Sequence, residues 1–253
     1  MKSQSKFPDS NETYDAFAPY YREYAKKKAK YLAAIDELIL ENLPTRTDSI
    51  LDIGCGDGVR LAGLLQRISH KEVWAIDSST EMLSLAEKNV DAKILQADIG
   101  NSSIDKDLIR RFDVILCLWN VLGHVGGQET RGHAILNMSK ALKENGRIYI
   151  DTNNRHNVSH YGIRTVLKNL MTDFVRPGRD NGTLPYEIRV TENKAIDAYS
   201  HFFNPGELLP LFSTSGLHPL KTRYVDYATG AIAGPWSGNI FYVLEKSEKK
   251  NAR

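Results

Sequence analysis

Residues 51–58 read LDIGCGDG, and glycines at alternate positions directly after an apolar run leave the chain few ways to fold. The run ending at Ile53 predicts a strand, and the run beginning at Val59 predicts a helix. Between them only glycine turns tightly enough and lets backbone N–H groups approach a ligand without a Cβ in the way. A strand, a glycine turn and a helix form the opening unit of a parallel sheet joined by crossover helices.

The rest of the chain repeats that alternation. Strands are expected at 49–53, 72–76, 93–96, 112–118 and 147–151, and helices at 59–67, 81–89, 105–111 and 130–142. The strand DVILCLW is apolar without polar alternation, as a sheet covered on both faces requires. Before it, residues 14–43 carry Phe17, Tyr20, Tyr21, Tyr24, Tyr31, Leu32, Ile35 and Leu38 at helical spacing, and Pro44 stops the run. After it come a helix-like stretch at 158–174 and hairpin arms at 186–191 and 195–203. A helix at 205–215 and strand-like runs at 221–227 and 239–245 complete the chain.

Composition narrows the function classes. The hydrophobic share of 42% and charged share of 25% are ordinary for a globular protein. With 33 basic and 31 acidic residues the net charge is +2, so nucleic acid is not the expected partner. The start, MKSQSKFPDSNET, does not read as a secretory signal, and the longest apolar run, 114–119, is too short to cross a bilayer. Cys55 and Cys117 both fall in expected core segments and make neither a disulfide framework nor a CxxC metal site. A cytoplasmic location with no membrane partner is the expectation.

Three acids stand at the carboxyl ends of successive expected strands, the edge where such sheets collect ligands. Asp52 directly precedes the glycines; a pyrophosphate gains little from a nearby carboxylate, whereas a ligand carrying an amino group and a sulfonium does. Asp77 ends VWAID, where a carboxylate accepts bonds from both ribose hydroxyls. Asp98, in LQADIG, is placed to accept a bond from an adenine amino group. The spacing is GxGxG rather than the GxGxxG of dinucleotide-binding folds, which argues against a nicotinamide dehydrogenase.

LDIGCGDG, AIDSS with Glu81 and Met82, QADI and FDVILCLWNVLGHV together resemble the successive motifs of class I S-adenosylmethionine-dependent methyltransferases over residues 14–152. The resemblance implies a Rossmann-like, doubly wound α/β fold whose seven-stranded sheet runs 3-2-1-4-5-7-6 with the last strand antiparallel. On that basis residues 1–43 form a helical lid, 44–154 and 204–246 the cofactor domain, and 155–203 a cap over an acceptor pocket. Gly54 and Gly56 would approach the methionine portion of S-adenosylmethionine, and Asp77 its ribose. Met82 would pack on the adenine, with Asp98 and Ile99 at its edge, and Leu118 and Trp119 would flank the sulfonium. Asp52, Cys55, Ser78 and Tyr21 complete the expected cofactor-binding set, and Lys27 or Lys28 could reach the methionine carboxylate.

Methyl transfer is an in-line displacement with a neutral leaving group, so alignment and exclusion of water matter most, and no metal is expected. WNVLGHV followed by IYIDTNNRHN resembles glycine and amino-sugar N-methyltransferases, with Asn153, Asn154 and Arg155 in altered order. His124 is the candidate base and Tyr14 the candidate lid tyrosine. Asn120, Asn153 and Arg155 are the candidate acceptor contacts, arginine because its planar fork suits anions. His156 and His160 have i,i+4 spacing but no third ligand, and are expected on a solvated helix face. The expected acceptor is a small molecule offering nitrogen or oxygen. A tRNA or protein acceptor is the alternative, followed by a non-catalytic S-adenosylmethionine-binding protein.

Overall fold

The computed structural model describes residues 10–176 and 180–247. Residues 1–9, 177–179 and 248–253 lie outside the described residues. Two helices come first, α1 (Ser10–Lys26) and α2 (Ala29–Leu40). Then β1 (Ser49–Ile53), α3 (Val59–Leu65), β2 (Glu72–Asp77), α4 (Thr80–Asn89) and β3 (Lys93–Gln96) alternate. A 3₁₀ turn at Lys106–Leu108 leads into β4 (Phe112–Cys117), α5 (Val121–His124), α6 (Gln128–Ala141) and β5 (Leu142–Thr152).

These strands are wholly buried at the centre because each face meets its own helices. On β4, Val114 and Leu116 join Tyr31, Ile35, Leu61 and Ala86 on one side of the sheet. Ile115 and Cys117 join Leu122, Ala134, Met138 and Phe212 on the other. Both cysteines are free and buried, and burial pushes their thiols well above the ordinary range.

Beyond β5 the chain builds α7 (Val158–Tyr161), α8 (Ile163–Val175) and the hairpin β6 (Thr183–Thr191) with β7 (Lys194–His201), a separate two-stranded sheet. The single helix expected at 158–174 is broken at Gly162, whose φ of 79° suits glycine. The chain returns through α9 (Leu209–Thr214), β8 (Leu217–Val225), β9 (Ile232–Ala233) and β10 (Asn239–Lys246).

Sheet order is β3-β2-β1-β4-β5-β10-β8-β9. β1–β5 pair in parallel, and β10 runs antiparallel between β5 and β8. That is the expected 3-2-1-4-5-7-6 order with one correction: the sheet has eight strands. The addition is β9, whose two residues pair with Tyr224 and Val225 of β8. So short an edge strand lies within the glycine-rich segment 230–238, where no periodicity signals it.

Candidate active site

The carboxyl ends of β1, β2 and β4 open into one cavity of roughly 1180 Å³, closed above by α1 and the hairpin. The glycine turn forms its floor. Gly54 and Gly56 have φ of +70° and +56°, and the amides of Gly54 and Cys55 donate to the Ile76 carbonyl. The Gly56 amide donates to Asp77 Oδ2 at 2.9 Å, and the Ser79 amide donates to Asp77 Oδ1 at 3.0 Å. Burial raises the Asp77 carboxyl above its usual range, against the pull of those amides. Asp98 accepts from the amides of Gly100 and Asn101, so its carboxylate is oriented by its own turn.

After β4 the backbone takes an uncommon path. Trp119 and Asn120 both sit in the left-handed region, at φ 59° and 62°. Consecutive non-glycine residues there are strained and hold only when their surroundings fix them. Asp151 does so: its Oδ1 accepts from the Trp119 amide at 2.6 Å and its carbonyl from the Asn120 amide at 3.0 Å. Asn120 then donates to Ser200 Oγ of the hairpin at 2.7 Å and accepts from the Asn153 amide at 2.9 Å. Trp119 stacks on Tyr24 and donates to Tyr227 Oη at 3.2 Å.

His124, at the end of α5, meets the Tyr14 ring edge-on at 5.2 Å, while its carbonyl accepts from Tyr199 Oη at 2.6 Å. Desolvation lowers the imidazole to about 4, opposed in part by the Tyr199 backbone, so the ring is neutral at ordinary pH. α1 is tied down at both ends of this wall. Ser79 Oγ donates to Asp15 at 2.6 Å, and Thr13 donates to the Asp197 carbonyl at 3.1 Å.

The fold therefore brings Tyr14, Tyr21, Gly54, Gly56, Asp77, Ser78, Asp98, Ile99, Leu118, Trp119, Asn120, His124 and Asn153 to one cavity. Asp52 and Cys55 instead line a second cavity of roughly 450 Å³ on the far side of the glycine turn, with Arg22, Lys26 and Arg60. Gly54, Tyr21, Leu118 and Trp119 face both. Arg22 and Lys26 of α1, rather than Lys27 or Lys28, are the cations it brings to that second cavity; Lys28 sits over the Tyr227 ring at 4.2 Å.

Two expected contacts lie elsewhere. Met82 is fully buried beneath α1 with Phe17, Ile188 and Ile196, because the Ser79 cap turns the first face of α4 toward the lid. Arg155 is buried and pairs with Asp173 of α8 at 3.0 Å, away from the cavity. His156 is not solvated: it is buried, faces Asp173 at 3.3 Å and stacks on Trp236, whereas His160 is exposed on α7, as expected, and lines the main cavity. Sequence reasoning missed Asp151, Tyr24, Tyr186, Tyr199 and Ser200. Only Asp151, at the carboxyl end of the expected fifth strand, carried a local signal.

A metal-like cluster, Asp180 with His201 and Glu207, closes the hairpin onto the domain. Arg131 occupies the Asp180 carboxylate at 2.5 Å, and the two His201 ring nitrogens already face Asp180 and Glu207. In that arrangement each of the three groups already has a protein partner, and together they clasp the hairpin to the domain.

Asp52 gives a pH test of the second cavity. Burial pushes its carboxyl up to about 7, with Arg60 opposing and Asp77 adding. The folded chain then holds this proton more tightly than the unfolded chain does, so ionisation of Asp52 opposes folding. Its contribution falls as pH rises from about 4, the unfolded value, to about 7, and stays low above that. Asp52→Asn should raise the melting temperature of the ligand-free chain by several degrees at pH 8 and flatten the slope between those limits. An unchanged slope in melts recorded across that range would mean Asp52 ionises freely.

A family model described as a methyltransferase domain matches residues 51–148. The chain is 33% identical over 110 residues to a ubiquinone biosynthesis O-methyltransferase of Azoarcus sp. (strain BH72), covering 42% of this chain and 45% of that protein. It is 29% identical over 133 residues to a dTDP-3-amino-3,6-dideoxy-alpha-D-glucopyranose N,N-dimethyltransferase of Streptomyces fradiae, covering 52% and 46%. The chain thus spans about half the length of these relatives, and the matches also include ribosomal RNA methyltransferases. Among solved structures, the CcbJ methyltransferase of Streptomyces caelestis superposes with a TM-score of 0.68 at 15% identity, covering 95% of this chain and 100% of that one. Domain match, strand order and glycine turn agree: residues 51–148 match a methyltransferase domain, set in a sheet with the strand order expected from the resemblance to class I S-adenosylmethionine-dependent methyltransferases.

Proposed function

We propose that the chain transfers the methyl group of S-adenosylmethionine to a nitrogen or oxygen of a small-molecule acceptor. One observation carries the reading. The main cavity runs from the glycine turn and Asp77 to a wall of tyrosines, and among its described lining residues none is lysine or arginine. Such a wall fits a neutral or cationic acceptor through ring faces and phenol hydroxyls. It offers nothing to neutralise a phosphate backbone, which disfavours RNA.

The residues present fit the methyl donor. Gly54 leaves room where a Cβ would meet Val121, and Asp77 presents a carboxylate suited to paired hydroxyls. Asp98 and Ile99 would bound the base, and Leu118 with Trp119 the reacting centre. The second cavity, with Asp52, Arg22 and Lys26, would take the charged amino-acid end. When bound, the donor supplies an electrophilic methyl on a positively charged sulfur.

What this chain adds is alignment. Asn120 and Asn153 are fixed by the hairpin and by each other, so their polar groups hold an acceptor in one orientation. His124, kept neutral by burial, is a hydrogen-bond partner for the nucleophile rather than a strong base. Tyr14 and the lid exclude water above it.

Calorimetry with S-adenosylhomocysteine and with NAD tests the donor, and radiolabel transfer to amine, phenol, tRNA and protein pools tests the acceptor. Asp77→Ala should weaken S-adenosylhomocysteine binding roughly thirtyfold, as loss of a charged hydrogen-bond partner does. Binding of NAD alone would overturn the donor reading. Label entering only tRNA or protein would overturn the small-molecule reading, and binding without any transfer would overturn catalysis.

A further inference from the structure

We propose that α8 docks this chain on the surface of an anionic phospholipid membrane. The helix is amphipathic in the inverted sense. Two of its polar side chains face inward: Asn169 donates to the Arg155 carbonyl at 2.9 Å, and Asp173 pairs with Arg155 and His156. Val166 is its one fully buried side chain.

The outward arc is apolar. Ile163, Leu167, Met171, Phe174 and Val175 are 56%, 53%, 62%, 84% and 64% exposed. Their spacing places them along one stripe of the helix. A contiguous patch of this kind marks an interaction surface rather than scattered exposure.

Charge selects the occupant. Arg164 and Lys168 are exposed along the edge of the stripe, and exposed Arg176 follows the helix. The only acid on α8, Asp173, is committed inward. A two-fold pairing of antiparallel α8 helices would set Lys168, at mid-helix, against its own copy, and like charges there disfavour a second chain. Anionic headgroups suit both features at once. The apolar arc enters the interface while the basic edge meets the lipid charge. The helix of 13 residues, about 20 Å long, is too short to span a bilayer and would lie in its plane.

The position serves the site. α8 begins just after His160 and Tyr161, which line the main cavity, so docking holds that wall of the cavity at the lipid surface.

The test is flotation of the full chain with vesicles of phosphatidylcholine alone or containing phosphatidylglycerol. Co-flotation should be roughly tenfold stronger with phosphatidylglycerol, and Leu167→Glu with Phe174→Glu should remove it while thermal melting stays unchanged. No co-flotation overturns the proposal, as does equal flotation of the double variant. A wild-type dimer in analytical ultracentrifugation that the double variant dissolves assigns the stripe to a second copy and overturns it too.

Discussion

Gly56→Ala is expected to weaken S-adenosylhomocysteine binding by about a hundredfold while leaving the sheet folded. The physical case has two parts. At φ +56° a side chain is strained by about 1 kcal/mol or more, and the added Cβ would lie 3.0 Å from Tyr21 Oη and 3.2 Å from its Cζ. Tyr21 or the loop has to give by a few tenths of an ångström, and a shift of the loop weakens the bond from the Gly56 amide to Asp77. Because Tyr21 closes on Gly56 from α1, its displacement also opens the boundary between the two cavities. Calorimetry measures the loss, and circular dichroism confirms the fold. Tyr21→Phe in the Gly56→Ala background removes the nearest clashing atom and should recover part of the affinity. Wild-type affinity in Gly56→Ala would show that no ligand needs the turn in this shape.

That prediction rests on what was legible in the sequence. The glycine turn, Asp77 and Asp98 could be read because each is a local event: a strand ends, and one residue stands at its carboxyl edge. The parallel order followed from alternation, and the unbroken apolar run from Val114 to Leu118 fits a sheet covered on both faces. What could not be read depends on segments far apart in the chain. Arg155 reads as an acceptor contact in the sequence, and only the fold brings Asp173 back along α8 to pair with it. Met82 follows Ser79, the last residue of AIDSS, by about one helical turn, and sequence alone does not say that α1 covers that turn. The tyrosine wall is assembled from α1, α7, the β6–β7 hairpin and the segment after β8, which are separated along the chain. β9 escaped notice because two residues have no period.

Asp151→Ala should cost about 4 kcal/mol of stability and most of the turnover, the second large effect the structure supports. Asp151 is 1% exposed and serves three parts of the site. Oδ2 accepts from Tyr31 Oη of α2 at 2.7 Å, Oδ1 accepts from the Trp119 amide at 2.6 Å, and its backbone carbonyl accepts from Asn120. Truncation to alanine strands two buried donors and frees Trp119 to leave the left-handed region, which releases the strain that positions Asn120. Asn120 would then lose its hold on Ser200, and the hairpin its link to the end of β4. Burial raises the Asp151 carboxyl, so an uncharged replacement is the informative control. Asparagine keeps an oxygen for the Trp119 amide, and its amide nitrogen can donate to Tyr31, whose hydroxyl reverses its role. Asp151→Asn should therefore retain most stability in urea denaturation, with kcat affected more than KM. If alanine and asparagine cost the same, Asp151 acts through its charge, and the hydrogen-bond account of the turn after β4 is wrong.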